Sequence, residues 1–223
     1  MFIIPCKFDK ENPIIIDCVN AIIQHHPDAK IAVIDSDSED RGYKNDLDSK
    51  VIFYDVHNKH YALEAYRIGF EDNKDEDFYY CMHDSLILQQ NISFVEQDDL
   101  TVIRWWTCPP EPTDFDHDNG VSMSVWADEQ MKVHVGYGFP EEHMGIFGPM
   151  FYCSNKVMTD LSNSGIFDIL PNRKIESCTT ERITGVVLTN LGYDVTKAIQ
   201  GRMRELVAEY DETFVKKIHF FRM

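Results

Sequence analysis

Three groups of polar residues stand at the ends of apolar runs, where chemistry can use them. The first is Asp35-Ser36-Asp37-Ser38-Glu39-Asp40, directly after the run KIAVID. Carboxylates placed there can accept hydrogen bonds from a ribose diol or a base imide N–H, although a solvated turn uses the same residue types. The second is Met82-His83-Asp84-Ser85, after FYYCM. A single carboxylate at a buried strand end can hold Mg²⁺ or Mn²⁺, the other ligands being phosphate oxygens and water; a capped turn is the plainer alternative. The third is Thr179-Thr180-Glu181-Arg182, read as the start of a helix. The helix dipole stabilises a glutamate there, which makes a purely structural role the default; the same geometry keeps it ionised, as a general base requires.

Other chemistries are excluded by what is missing. His117, His134 and His143 form no H-E-x-x-H or H-x-H pair, so a zinc hydrolase is not indicated. No G-x-x-x-x-G-K-[ST] or G-x-G-x-x-G occurs, and Gly136 and Gly138 make only an isolated pair. The formal charge of −17 argues against nucleic acid, whose backbone needs a basic face. A small anionic ligand remains compatible if a cation mediates. Six dispersed cysteines without a C-x-x-C pair read as buried reduced thiols. With no basic leader and no membrane-length apolar run, the expected location is cytoplasmic.

The elements that must position these groups follow from the apolar pattern. FIIPC reads as a strand, and Ile15, Val19 and Ile22 share a helical face that stops at Pro27. KIAVID is continuously apolar, as a parallel strand buried on both faces should be. VIFYDV as strand, Tyr61–Phe70 as helix and FYYCM as strand complete a β-α-β-β-α-β order, in which ligands gather at carboxyl strand ends. Further on, LTVIRWW reads as a strand, and residues 122–135 fit helix or strand. A strand enters a helix at Ser154-Asn155, and Thr179–Leu191 and residues 195–210 read as helices before the tail FVKKIHFFRM. No repeat or linker interrupts the chain, so one domain over residues 1–223 is expected.

At these residues the sequence resembles GT-A-fold glycosyltransferases and glycosyltransferase-like proteins. The segment IIPCKFDKENPIIIDCVNAIIQHHPDAKIAVIDSDSEDRGY is similar to their opening strand, helix and strand, which bring a D-S-x-S-x-D loop to a nucleotide. The Asn58…Tyr61…Ala65 helix start is also similar, and FYYCMHDSLIL occupies the place of the DXD motif. GIFGPMFYCSNKVMTDL and ERITGVVLTNLGYDV resemble the acceptor-side elements. The resemblance implies an α/β, GT-A-like single domain with a mixed, mostly parallel sheet flanked by helices. Residues 1–95 would form the nucleotide-binding half and 96–223 the acceptor-side half. It further implies nucleotide contacts from Asp35, Asp37, Ser38 and Asn58, metal contacts from Asp84, His83 and the tail residue His219, and a catalytic role for Glu181. Where the family has carboxylates at both ends of DXD, this chain has His83 and Ser85, so the Mn²⁺ or Mg²⁺ site loses hard ligands.

The expected function is transfer of a sugar from a nucleoside-diphosphate sugar to a hydroxyl of a glycan or protein-linked glycan, with divalent metal assistance. Trp105, Trp106 and Trp126 are candidate sugar-stacking platforms, with core packing as the commoner use. The alternatives are a non-catalytic GT-A-like binding protein and a sugar-phosphate nucleotidyltransferase. The latter would need a glycine-rich basic loop near the first strand, and none is present.

Overall fold

A computed structural model describes residues 1–8, 10–11, 13–57, 60–88, 91, 103–104, 111–112, 117–118, 121–146, 148–195 and 215–217. Its first half follows the apolar pattern closely. Strand β1 (Phe2–Cys6), helix α1 (Ile14–His25), strands β2 (Ile31–Ser36) and β3 (Val51–Val56), helix α2 (Tyr61–Glu71) and strand β4 (Phe78–Cys81) succeed one another. Short strands β5 (Leu86–Leu88), β6 (Ile103–Arg104), β7 (Glu111–Pro112), β8 (His117–Asp118) and β9 (Val121–Ser122) follow. Then come α3 (Met123–Gln130), β10 (Glu142–His143), β11 (Phe151–Ser154), α4 (Asn155–Asn163), α5 (Lys174–Asn190) and β12 (Val215–Lys217).

Six strands form one mixed sheet in the order β3-β2-β1-β4-β11-β6. The first four are parallel, and β11 runs antiparallel to both β4 and β6. The period-two alternation of strand side chains separates two cores. Phe2, Ile4, Ile31 and Val33 pack against Ile15, Cys18, Val19 and Ile22 of α1. Ile3, Ala32 and Ile34 face the opposite way, onto α2, α4 and α5. Gly69 lets α2 close on β1, because a Cβ there would fall 2.6 Å from Ile3. The result is an α/β arrangement with helices on both faces of a mostly parallel sheet.

The stretch that the sequence leaves between helix and strand is helical: α3 continues as a single wide turn over Met131–Val135. Met123, Ala127 and Met131, four residues apart, are its buried stripe. Helix α5 starts at Lys174, five residues before the Thr179 expected from the apolar pattern. The reason is polar. Glu176 turns back and accepts from the backbone N–H groups of Asn172 at 2.8 Å and Arg173 at 3.2 Å, closing the first turn without apolar residues. The helix expected over residues 195–210 lies almost wholly outside the described residues.

Candidate functional site

A cleft of about 520 Å³, large enough for a nucleotide-sized ligand, opens where the carboxyl ends of β1, β2 and β4 meet. Cys6 ends β1 and Lys7 follows it, Ser36 ends β2 and Asp37 follows it, and His83 and Asp84 lie in the turn after β4. Because β11 is antiparallel to β4, with Phe151 opposite Cys81, the Gly148-Pro149 approach to β11 also reaches this end. The far wall is one face of α5: Lys174, Ser177 and Glu181 follow at spacings of three and four. The fold thus brings Asp37, His83, Asp84 and Glu181 to one cavity from three remote stretches of sequence.

Asp35 and Ser38 do not line it; they build the loop behind it. Asp35 is fully buried, its Oδ1 accepting from the Ser38 backbone N–H at 3.0 Å and its Oδ2 from the Tyr43 hydroxyl at 2.5 Å. Burial first, then nearby Cys6 and the bond to Asp35, push the Tyr43 hydroxyl far above the ordinary tyrosine range, so it stays a donor. Ser38 Oγ accepts from the Phe8 backbone N–H at 2.7 Å, tying the loop to the chain beyond β1. Arg41 lies 3.8 Å from both Asp35 and Asp37 and donates to Asp55 at 3.2 Å.

Backbone strain concentrates at the cleft. Among the described residues, only Asp37 (φ 59°) and Tyr61 (φ 60°) are non-glycine residues with positive φ, and both line this cavity. An aspartate tolerates that conformation, whereas a tyrosine there is an outlier that its surroundings must enforce. Asp37 is further held by His57, whose Nδ1 lies 2.6 Å from its Oδ1.

The turn after β4 is fixed from two sides. The His83 backbone N–H donates to Met150 Sδ at 3.4 Å, and the His83 carbonyl accepts from Leu86 N–H at 3.2 Å. Gly148 packs on the imidazole: a Cβ there would meet His83 Cε1 at 3.0 Å and Met150 Cε at 2.8 Å. Asp84 and Ser85 are buried. As a resident metal cage the arrangement is thin, because no three His, Cys, Asp or Glu side chains converge among the described residues. Strand β5, directly after this turn, pairs with β12, which sets Lys217 opposite Leu86.

On α5, Glu181 sits two turns inside the helix. The dipole argument made for it therefore applies to first-turn Glu176 instead. Burial alone would raise the Glu176 pKa, but the bonds from Asn172 and Arg173 outweigh it and hold the carboxyl below its ordinary value. Glu181 Oε2 accepts from Arg182 at 3.1 Å, and Arg182 also donates to the Cys178 carbonyl at 3.0 Å. Both side chains are largely buried. The Glu181 carbonyl accepts from Ile146 N–H at 2.8 Å, joining α5 to the loop that continues to Gly148.

Asn58, His219, Trp105 and Trp106 lie outside the described residues. Trp126 packs against the core instead of lining the cleft. Sequence reasoning does not single out Lys7, Lys174 or Ser177. Lys7 could have been found from its place at a strand's carboxyl end, whereas Lys174 needed the true start of α5. No protein-family model matches the chain, and no curated protein sequence matches it significantly.

Proposed function

We propose that the chain is a nucleotide-sugar-dependent glycosyltransferase with a GT-A-like arrangement. The observation that carries this reading is the cleft at the carboxyl ends of parallel β1, β2 and β4, which holds Asp37, Asp84 and Glu181 together. Open α/β sheets bind ligands at this edge, and the paired strain at Asp37 and Tyr61 is what a preorganised site displays. In this reading Asp37 contacts the nucleoside while Asp84 lies by the diphosphate. The anomeric carbon–oxygen bond breaks and its electron pair leaves with the nucleoside diphosphate. The acceptor oxygen bonds to that carbon through an oxocarbenium-like transition state. Glu181 takes the acceptor's proton, or anchors its hydroxyl. A divalent cation has one carboxylate from the described chain, Asp84, and would arrive with the phosphates as its other ligands.

A non-catalytic relative that keeps the cleft for binding is the second reading. It is favoured by His83 and Ser85 standing on either side of the lone Asp84. Thermal shift with a panel of UDP, GDP and CMP sugars, with and without Mn²⁺, tests the donor site. Saturation at 100 times Kd stabilises by about 2.7 kcal/mol, a shift of several degrees for a chain of this size. No shift with any nucleotide removes the donor reading. A shift without measurable transfer to any acceptor leaves the binding protein.

A further inference from the structure

Resting on the nucleotide-sugar reading, we propose that Lys7 and Lys174 form a cationic clamp for the donor's diphosphate. A diphosphate entering this cleft meets three carboxylate side chains, Asp37, Asp84 and Glu181. Like charges repel it unless cations stand beside them. The two lysines lining the cavity supply such cations from separate elements: Lys7 follows β1, and Lys174 opens α5.

Lys174 differs from most cations nearby. Arg173 is paired with Glu176 and Arg182 with Glu181. Lys174 has no carboxylate partner among the described residues; its ammonium lies 5.9 Å from the centre of the Tyr61 ring. An aromatic face orients an ammonium without cancelling its charge. This gives the strained Tyr61 a use: the left-handed backbone at the first residue of α2 sets the ring beneath Lys174, at the cleft wall. Ser177, one turn along α5, adds a hydroxyl to the same wall.

The test is equilibrium binding by the full chain, with Mn²⁺ and in EDTA, using UDP, GDP, the matching nucleosides and inorganic pyrophosphate as probes. It compares wild type with Lys7→Ala, Lys174→Ala and Lys174→Arg. Both lysines are exposed, so the variants should keep the wild-type melting temperature. The clamp predicts at least a tenfold loss of diphosphate affinity in each alanine variant, partial recovery in Lys174→Arg and unchanged nucleoside affinity. Alanine variants within twofold of wild type overturn the clamp while leaving the donor site standing. Lysine-dependent pyrophosphate binding with no binding of any nucleotide keeps the clamp and overturns the donor reading. Binding of no probe in either condition overturns both.

Discussion

Two aspartates two positions apart have opposite fates here. Asp35 spends its oxygens on Ser38 and Tyr43, inside the protein. Asp37 turns into the cleft because its left-handed backbone breaks the alternation that would have put both on one face. Asp37→Gly should therefore relieve roughly 1 kcal/mol of strain while losing contacts that include those to His57 and Arg41, so the melting temperature stays close to wild type. Nucleotide binding should fall. A melting temperature several degrees lower with binding intact would make Asp37 a structural residue. Glu181→Gln separates the two ends of the reaction. If Glu181 accepts the acceptor's proton, donor affinity persists and transfer drops at least a hundredfold, within the usual range for general acid–base groups. Loss of donor affinity instead would move Glu181 to the donor side.

Helix α5 and the loop ahead of β11 are joined by the bond from Ile146 to the Glu181 carbonyl and, one turn on, by a close approach at Gly185. A Cβ on Gly185 would fall 1.8 Å from the Met144 carbonyl oxygen, backbone that cannot give way cheaply. Gly185→Ala should thus destabilise the protein by about 2 kcal/mol or more and displace the segment leading to Gly148, weakening ligand binding with it. A variant as stable as wild type would show that α5 can move away without consequence. The alternating β and α elements of the first half were legible because parallel strands buried on both faces leave uninterrupted apolar runs, as in Ile31–Ile34. The start of α5 was not, since Glu176 and backbone N–H groups close that turn where an apolar pattern leaves no mark. Likewise the line-up of Lys174, Ser177 and Glu181 on one wall depends on that missed start. Asp84 and Glu181 were legible as candidates by type and position, but their meeting in one cleft depends on β11 running antiparallel beside β4.

Across the molecule, several groups bind protons less readily folded than unfolded, and they act in one direction. Burial lowers the pKa of His26 from 6.5 and of the Met1 amino group from 8.0. Lys156, then Tyr193, lower that of Asp160 from 3.8, while the bonds to Glu176 hold it below 4.5 despite burial. In each case the unfolded chain takes up protons first as pH falls, so stability rises with pH. The melting temperature should be highest near pH 8, decline through the His26 range and fall steeply as the carboxylates protonate. The carboxylate contribution is fully present above about pH 4.5 and is lost as pH falls through the lowered folded values. A higher melting temperature at pH 5 than at pH 7.5 would contradict this. The acidity of the whole chain, −17, coexists with a cleft carrying Lys7 and Lys174, so the net charge describes the surface more than the site. The most direct test of the donor site is calorimetric titration of the full chain with UDP, GDP and CMP sugars. The expected result in the presence of Mn²⁺ is saturable binding of at least one, with one site per chain and affinity reduced at least tenfold in Asp84→Ala, which removes the cation's one carboxylate. Absence of binding across the panel, or binding unchanged by Asp84→Ala and Asp37→Gly, would contradict the assignment of this cleft.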